Sequence, residues 1–194
     1  PDGVGWFVAP GGATPAYLSS WCMAQLAEVL PAGTYRRAGG EPGPAMFGWQ
    51  TGQYRFDRYL SEPAMQGPRI LLTKEAKAIE PARAEADAVC LVRDLVNTPA
   101  EDMGPAQLEE AAEEVAKAHK ADFRVTQGDT LEREFPMIHM VGRAAARSHA
   151  PRLVELEWGD PRHPRVAVIG KGVCFDSGGL DIKPSSAMLL MKKD

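Results

Sequence analysis

Apolar positions recur at helical spacing through residues 14–30, where Leu18, Trp21, Cys22, Leu26 and Val29 share one face. Thr14 can cap a helix there, Pro15 suits its first position, and Pro31 with Gly33 would close it. Residues 37–59, "RAGGEPGPAMFGWQTGQYRFDRY", break the pattern and predict a loop followed by an aromatic-bearing segment. "RILLT" over 69–73 predicts a buried strand. "EPARAEADAVCLVRDLVNTP" over 80–99 predicts a long helix with Val89, Val92 and Val96 on one side, ended near Asn97 by Pro99.

The second half alternates between the two periods. "GPAQLEEAAEEVAKAHKA" predicts a helix opened by Pro105, with Glu109, Glu110, Glu113 and Glu114 early and Lys117 and Lys120 late, an order that suits the helix dipole. "DFRVT" (122–126) predicts a strand. "RLVELEW" (152–158) predicts a strand with one wetter face. "RVAVIG" (165–170) is continuously apolar, as expected of a central parallel strand. Ser185 or Ser186 then caps a helix that reaches Asp194. Strands alternating with helices predict an α/β architecture. The pattern shift at 74–82 is the best candidate boundary. It divides the chain into residues 1–80, a partial amino-terminal α/β domain; 81–98, a connecting helix; and 99–194, the first half of a second α/β domain.

Composition narrows the function. Of 194 residues, 44% are apolar, enough for a sizeable core, and the net charge of −4 leaves no basic excess to neutralise phosphates. Nucleic acid is therefore not indicated as a partner. Arg143, Arg147 and Arg152 form a local basic group that reads as a solvated face or an interface. Cys22, Cys90 and Cys174 lack the spacing of a zinc knuckle or a disulfide framework and read as reduced thiols of a cytoplasmic protein. No apolar stretch reaches membrane-spanning length, so no membrane partner is expected. The chain begins at Pro1 and stops at Asp194 inside a predicted helix, which reads as a piece of a longer protein.

Candidate chemistry gathers at "GKGVCFDSGGLDIKPSSAMLLMKKD", residues 170–194. Functional groups of open α/β sheets collect past the carboxyl ends of strands, where Lys171 and Asp176 would lie. The glycines invite a phosphate reading. However, a phosphate loop needs GxxxxGK followed by Ser or Thr, and here the lysine comes first and Asp176 stands inside the loop. Carboxylates converging with a lysine favour divalent cations. A lysine ligates only as the neutral amine, so a nearby dication and burial must overcome a free pKa of about 10.4. Lys183 would stay charged and polarise a substrate oxygen. By spacing alone, the plainer reading of these Lys and Asp residues is a set of surface salt bridges. His139 reads as a packed, hydrogen-bonded histidine, and His119, His149 and His163 as solvated. Cys174 reads as a buried, inert thiol.

At residues 170–194 the sequence resembles the leucyl aminopeptidase family of dinuclear metallopeptidases. "RDLVNTPAEDMGPAQL" (93–108), "FPMIHMVGRAA" (135–145), "PRLVELEWG" (151–159) and "YRFDRY" (54–59) support the resemblance. It implies a hydrolase that releases amino-terminal residues, leucine-like ones preferred, from peptide substrates. It also implies part of an amino-terminal α/β domain followed by the first half of an α/β metallopeptidase catalytic domain. Lys171 and Asp194 would ligate one metal and Asp176 would bridge two. Lys183 would stabilise the oxyanion, and Met191 would line the pocket for the first side chain. The metals of relatives are zinc, manganese or magnesium. Such enzymes assemble as homo-hexamers and use bicarbonate held by an arginine. The Asn-Thr-Asp-Ala-Glu-Gly-Arg segment that supplies that arginine and two more carboxylates does not occur here. The expectation is that these residues alone are inactive or nearly so, while the parent protein is active. A non-catalytic binding or structural member of the same fold is the alternative.

Overall fold

In a computed structural model, residues 19–62 and 67–193 are described; the predicted helix residues 14–18 and the predicted ligand Asp194 lie outside them. The chain divides into two compact units, 1–94 and 95–194.

In the first unit, helix α1 (Ala24–Val29) leads into strand β1 (Gly33–Arg36). A 3₁₀ turn at Gly43–Ala45 and helix α2 (Met46–Thr51) follow, then strand β2 (Arg69–Leu72). Strands β1 and β2 pair in parallel, Gly33 opposite Arg69 through Arg36 opposite Leu72. Helix α3 (Ala76–Asn97) runs past the division between the units and carries Pro81 in its first turns. The core gathers Met23, Ala27, Leu30, Met46, Phe47 and Trp49 with Ile79, Ala82 and Ala86 of α3. Trp49 also donates its indole N–H to the Arg69 carbonyl at 3.1 Å, tying α2 to β2.

Several local expectations change here. Helix α1 is shorter than the periodicity predicts, and Trp21 and Val29 are exposed. The aromatic-bearing segment expected after the loop coils into α2, where Met46, Phe47 and Trp49 are buried. Strand β2 is half-buried: Leu71 packs on the core while Ile70 and Leu72 face out. The packing face of α3 is Ile79, Ala82, Ala86 and Val89, and Val92 is exposed.

In the second unit, helix α4 (Pro105–His119) starts as predicted, with Pro105 at its first position and the Gln107 side chain accepting the Gly104 N–H at 3.2 Å. It ends on Lys120 in the left-handed region, φ 55°. Strand β3 (Asp122–Gln127) pairs antiparallel with β4 (Arg152–Glu157). Between them lie helix α5 (Gly128–Glu134), whose Leu131 is fully buried, and helix α6 (Pro136–Gly142).

Arg152 does not belong to a solvated basic face. Its side chain is 10% exposed, pairs with Glu109 of α4 and donates to the Ala150 carbonyl at 3.1 and 3.2 Å. His149 is half-buried, not solvated. Its ring lies so close to Gly104 that a Cβ there would meet Nδ1 at 2.2 Å. His139 is partly buried, 3.7 Å from Glu132.

The largest departure is at 165–170. These residues form no strand; Val166, Val168 and Ile169 are 86%, 93% and 93% exposed. A central strand needs backbone partners on both edges. Among the described residues β3 and β4 pair only with each other. Likewise the helix expected from 185 to 194 is a single turn, α7 (Ser185–Met188), followed by further turns.

Candidate metal and catalytic site

The chemistry-bearing segment of the second unit is organised by a loop, Asp176–Lys183. Asp176 Oδ1 accepts the Gly178 N–H at 2.8 Å, the turn an aspartate makes with the backbone two residues on. The Ser177 carbonyl accepts the Lys183 N–H at 3.0 Å and closes the loop. Gly178 has φ 104°, and a Cβ on it would meet the Asp181 carbonyl oxygen at 2.4 Å. Only glycine satisfies both the dihedral and the space.

That closure brings Lys183 back onto Asp176. Lys183 Nζ donates to Asp176 Oδ2 at 3.0 Å and lies 3.0 Å from Met191 Sδ. The Lys183 side chain is 31% exposed and that of Asp176 53%. The Lys183 ammonium, then the Gly178 N–H, hold the Asp176 carboxyl below its ordinary value; Lys171 adds a weaker electrostatic pull. Asp176, Lys183 and Met191 are therefore together, with Lys171 near enough to act on Asp176 through its charge. The salt bridge that spacing alone suggested is present between Lys183 and Asp176.

Burial pushes the Cys174 thiol up, against the opposing charges of Lys192 and Arg152, so it is not a poised nucleophile. Lys192 went unremarked in the sequence because adjacent lysines at the end of a helical stretch read as solvated charge. In the structure its ammonium is partly buried and donates to the Leu95 carbonyl at 2.8 Å. Lys192 could have been singled out only by knowing which carbonyl lay opposite.

In donor type these residues fit a divalent cation: Asp176 offers hard carboxylate oxygen and Lys171 an amine once deprotonated. In number they fall short of a two-metal site. Among the described residues no three His, Cys, Asp or Glu side chains converge. Any metal held by Asp176 and Lys171 needs ligands beyond them.

The model of the cytosol aminopeptidase family's catalytic domain matches residues 90–194. A probable cytosol aminopeptidase of Wolinella succinogenes is 35% identical over 161 positions, covering 76% of this chain and 33% of the relative. One from Brucella ovis is 34% identical over 198 positions, covering 95% and 39%. Among solved structures, the cytosol aminopeptidase of Coxiella burnetii superposes with a TM-score of 0.80 at 41% identity, covering 90% of this chain and 38% of that one. The bottromycin maturation enzyme BotP, solved in complex with Mn, gives 0.75 at 35% identity, covering 90% and 40%. The chain thus spans 33–40% of the length of these relatives.

Proposed function

Because this chain belongs to the cytosol aminopeptidase family, we propose that it carries part of the active site of a metal-dependent aminopeptidase that releases amino-terminal residues, leucine-like ones preferred, from peptides. The observation that carries this reading is the meeting of Asp176, Lys183 and Met191 across the Gly178 turn. The reading is of a whole enzyme; this chain spans 33–40% of the length of the relatives it matches.

Asp176, Lys171 through its amine nitrogen, and Asp194 would hold the divalent metals. The manganese in the BotP complex supports divalent metals as the class. Bound zinc, manganese or magnesium supplies Lewis acidity, which polarises a carbonyl and acidifies water. Lys183 Nζ would donate a hydrogen bond to the oxygen that gains charge when the peptide carbon becomes tetrahedral. Met191, flexible and polarisable, contacts the side chain of the leaving residue and favours apolar ones. The relatives' description as cytosol aminopeptidases supports a cytoplasmic place for the protein. A homo-hexameric state would be read by light scattering.

The test is hydrolysis of leucine p-nitroanilide by the whole enzyme with added manganese. Turnover should vanish on chelation and return with metal. Lys183→Met should lower kcat by about 10²–10³-fold with little change in KM, the usual cost of one oxyanion donor. No turnover with any divalent metal would sink the enzyme reading in favour of a non-catalytic binding member. The 194-residue chain alone should be inactive or nearly so, and metal-dependent turnover by it would overturn that part.

A further inference from the structure

The turn after Pro184 delivers Met191 to Lys183, yet little in its own structure holds it. Its backbone bonds are short-range: Ala187 and Met188 donate to Pro184, Leu190 to Ala187, Met191 to Met188, and Lys193 to Leu190. Helix α7 is one turn, far below the length at which a helix sustains itself. Leu189 and Leu190 are 80% and 60% exposed, and the turn's apolar burial is limited to the partly buried Ala187, Met188 and Met191.

Lys192 supplies the link that the turn lacks. Its ammonium donates to the Leu95 carbonyl at 2.8 Å, a bond between residues 97 apart in sequence. Leu95 lies in the last turn of α3, within the second unit. The final carbonyls of a helix have no partner inside it, and a cation there meets both an open lone pair and the negative end of the dipole.

We propose that Lys192 is a positioning residue: by pinning the 185–193 turn to the end of α3, it sets where Met191 meets Lys183. Its meaning for catalysis rests on the reading of Lys183 and Met191 given above, while the pinning itself is testable without turnover. The experiment labels methionine methyl groups and follows the nuclear Overhauser contact between the Met191 methyl and the Lys183 ε-methylene in the 194-residue chain. The Met191 signal is identified by its disappearance in Met191→Leu. The cross-strand contact between Phe123 and Leu156, paired across β3 and β4, reports the fold.

In Lys192→Met the Met191–Lys183 contact should vanish while the Phe123–Leu156 contact persists. Lys192→Arg, which keeps a donor able to reach the carbonyl, should retain both. Persistence of the Met191–Lys183 contact in Lys192→Met overturns the proposal. So does its loss in Lys192→Arg, or loss of the Phe123–Leu156 contact alongside it in Lys192→Met, which would mark a general loss of structure. If the contacts behave as expected but the whole enzyme hydrolyses nothing, the functional reading falls and the pinning stands. If the enzyme turns over while Lys192→Met keeps the contact, the reverse holds.

Discussion

Gly178→Ala puts the smallest side chain into the loop that joins Asp176 to Lys183. At φ 104° an L residue is strained by about 1–3 kcal/mol before any contact is counted. Its Cβ would also lie 2.4 Å from the Asp181 carbonyl oxygen and 3.1 Å from the Lys183 backbone nitrogen, and neither backbone atom can swing aside as a side-chain tip can. What holds the loop closed is modest. The Ser177–Lys183 backbone bond is worth about 0.5–1.5 kcal/mol net. The Lys183–Asp176 pair is exposed and adds little. Dihedral strain and the two backbone clashes act together against these interactions and the Asp176–Gly178 hydrogen bond, and the loop should open. Residues 178–182 are exposed, so opening costs no core burial and the melting of the β3–β4 unit should hardly move. In the whole enzyme, kcat on leucine p-nitroanilide should fall toward the roughly 10²–10³-fold deficit expected of Lys183→Met, and the double variant should be no worse than Lys183→Met alone. Native kcat in Gly178→Ala would refute the reasoning, as would additive losses in the double variant.

Three further outcomes test the framework. Leu131→Ala removes a side chain that is 1% exposed and should cost about 2–5 kcal/mol in urea unfolding of the second unit; a loss below about 1 kcal/mol would mean that α5 is not anchored there. Arg152→Met strands Glu109 and the Ala150 carbonyl. Because Glu109 is 26% exposed, the cost should be about 1–3 kcal/mol, below that of a fully buried pair, and adding Glu109→Gln should recover part of it. In the first unit the Thr73 hydroxyl at 2.7 Å, then the Lys74 N–H at 3.1 Å, hold the Glu41 carboxyl below its ordinary value. A depressed folded-state pKa stabilises above the unfolded value and is lost as pH falls through the folded one. The stability gap between the natural chain and Thr73→Val should therefore be full at pH 6 and shrink as pH drops below about 4; a gap independent of pH would remove Glu41 from the account.

Much of the local structure was legible because its causes are local. Pro105 and the amphipathic run behind it specify the start of α4, and Pro99 specifies the end of α3, whatever lies around them. Alternation over 122–126 and 152–157 specifies strands because every second residue faces one side. The spacing of Lys171, Asp176, Lys183 and Met191 is written in residue order, and so is the need for glycine at 178. The family was readable at this stretch for that reason.

Tertiary structure decided what depends on a partner distant in the chain. Arg152 reads as one of three surface arginines until Glu109 is brought against it, and His149 as solvated until Gly104 makes room for its ring. Residues 165–170 have the composition of a central strand, but pairing is a property of two segments, and no described strand pairs with them. Lys192 is one more charge in the sequence and a clamp in the structure, because the open carbonyl that it meets belongs to a helix 97 residues earlier. Sequence spacing specifies hydrogen bonds and apolar faces within a few turns of chain; which charges are desolvated, and against what, follows only from how the elements pack.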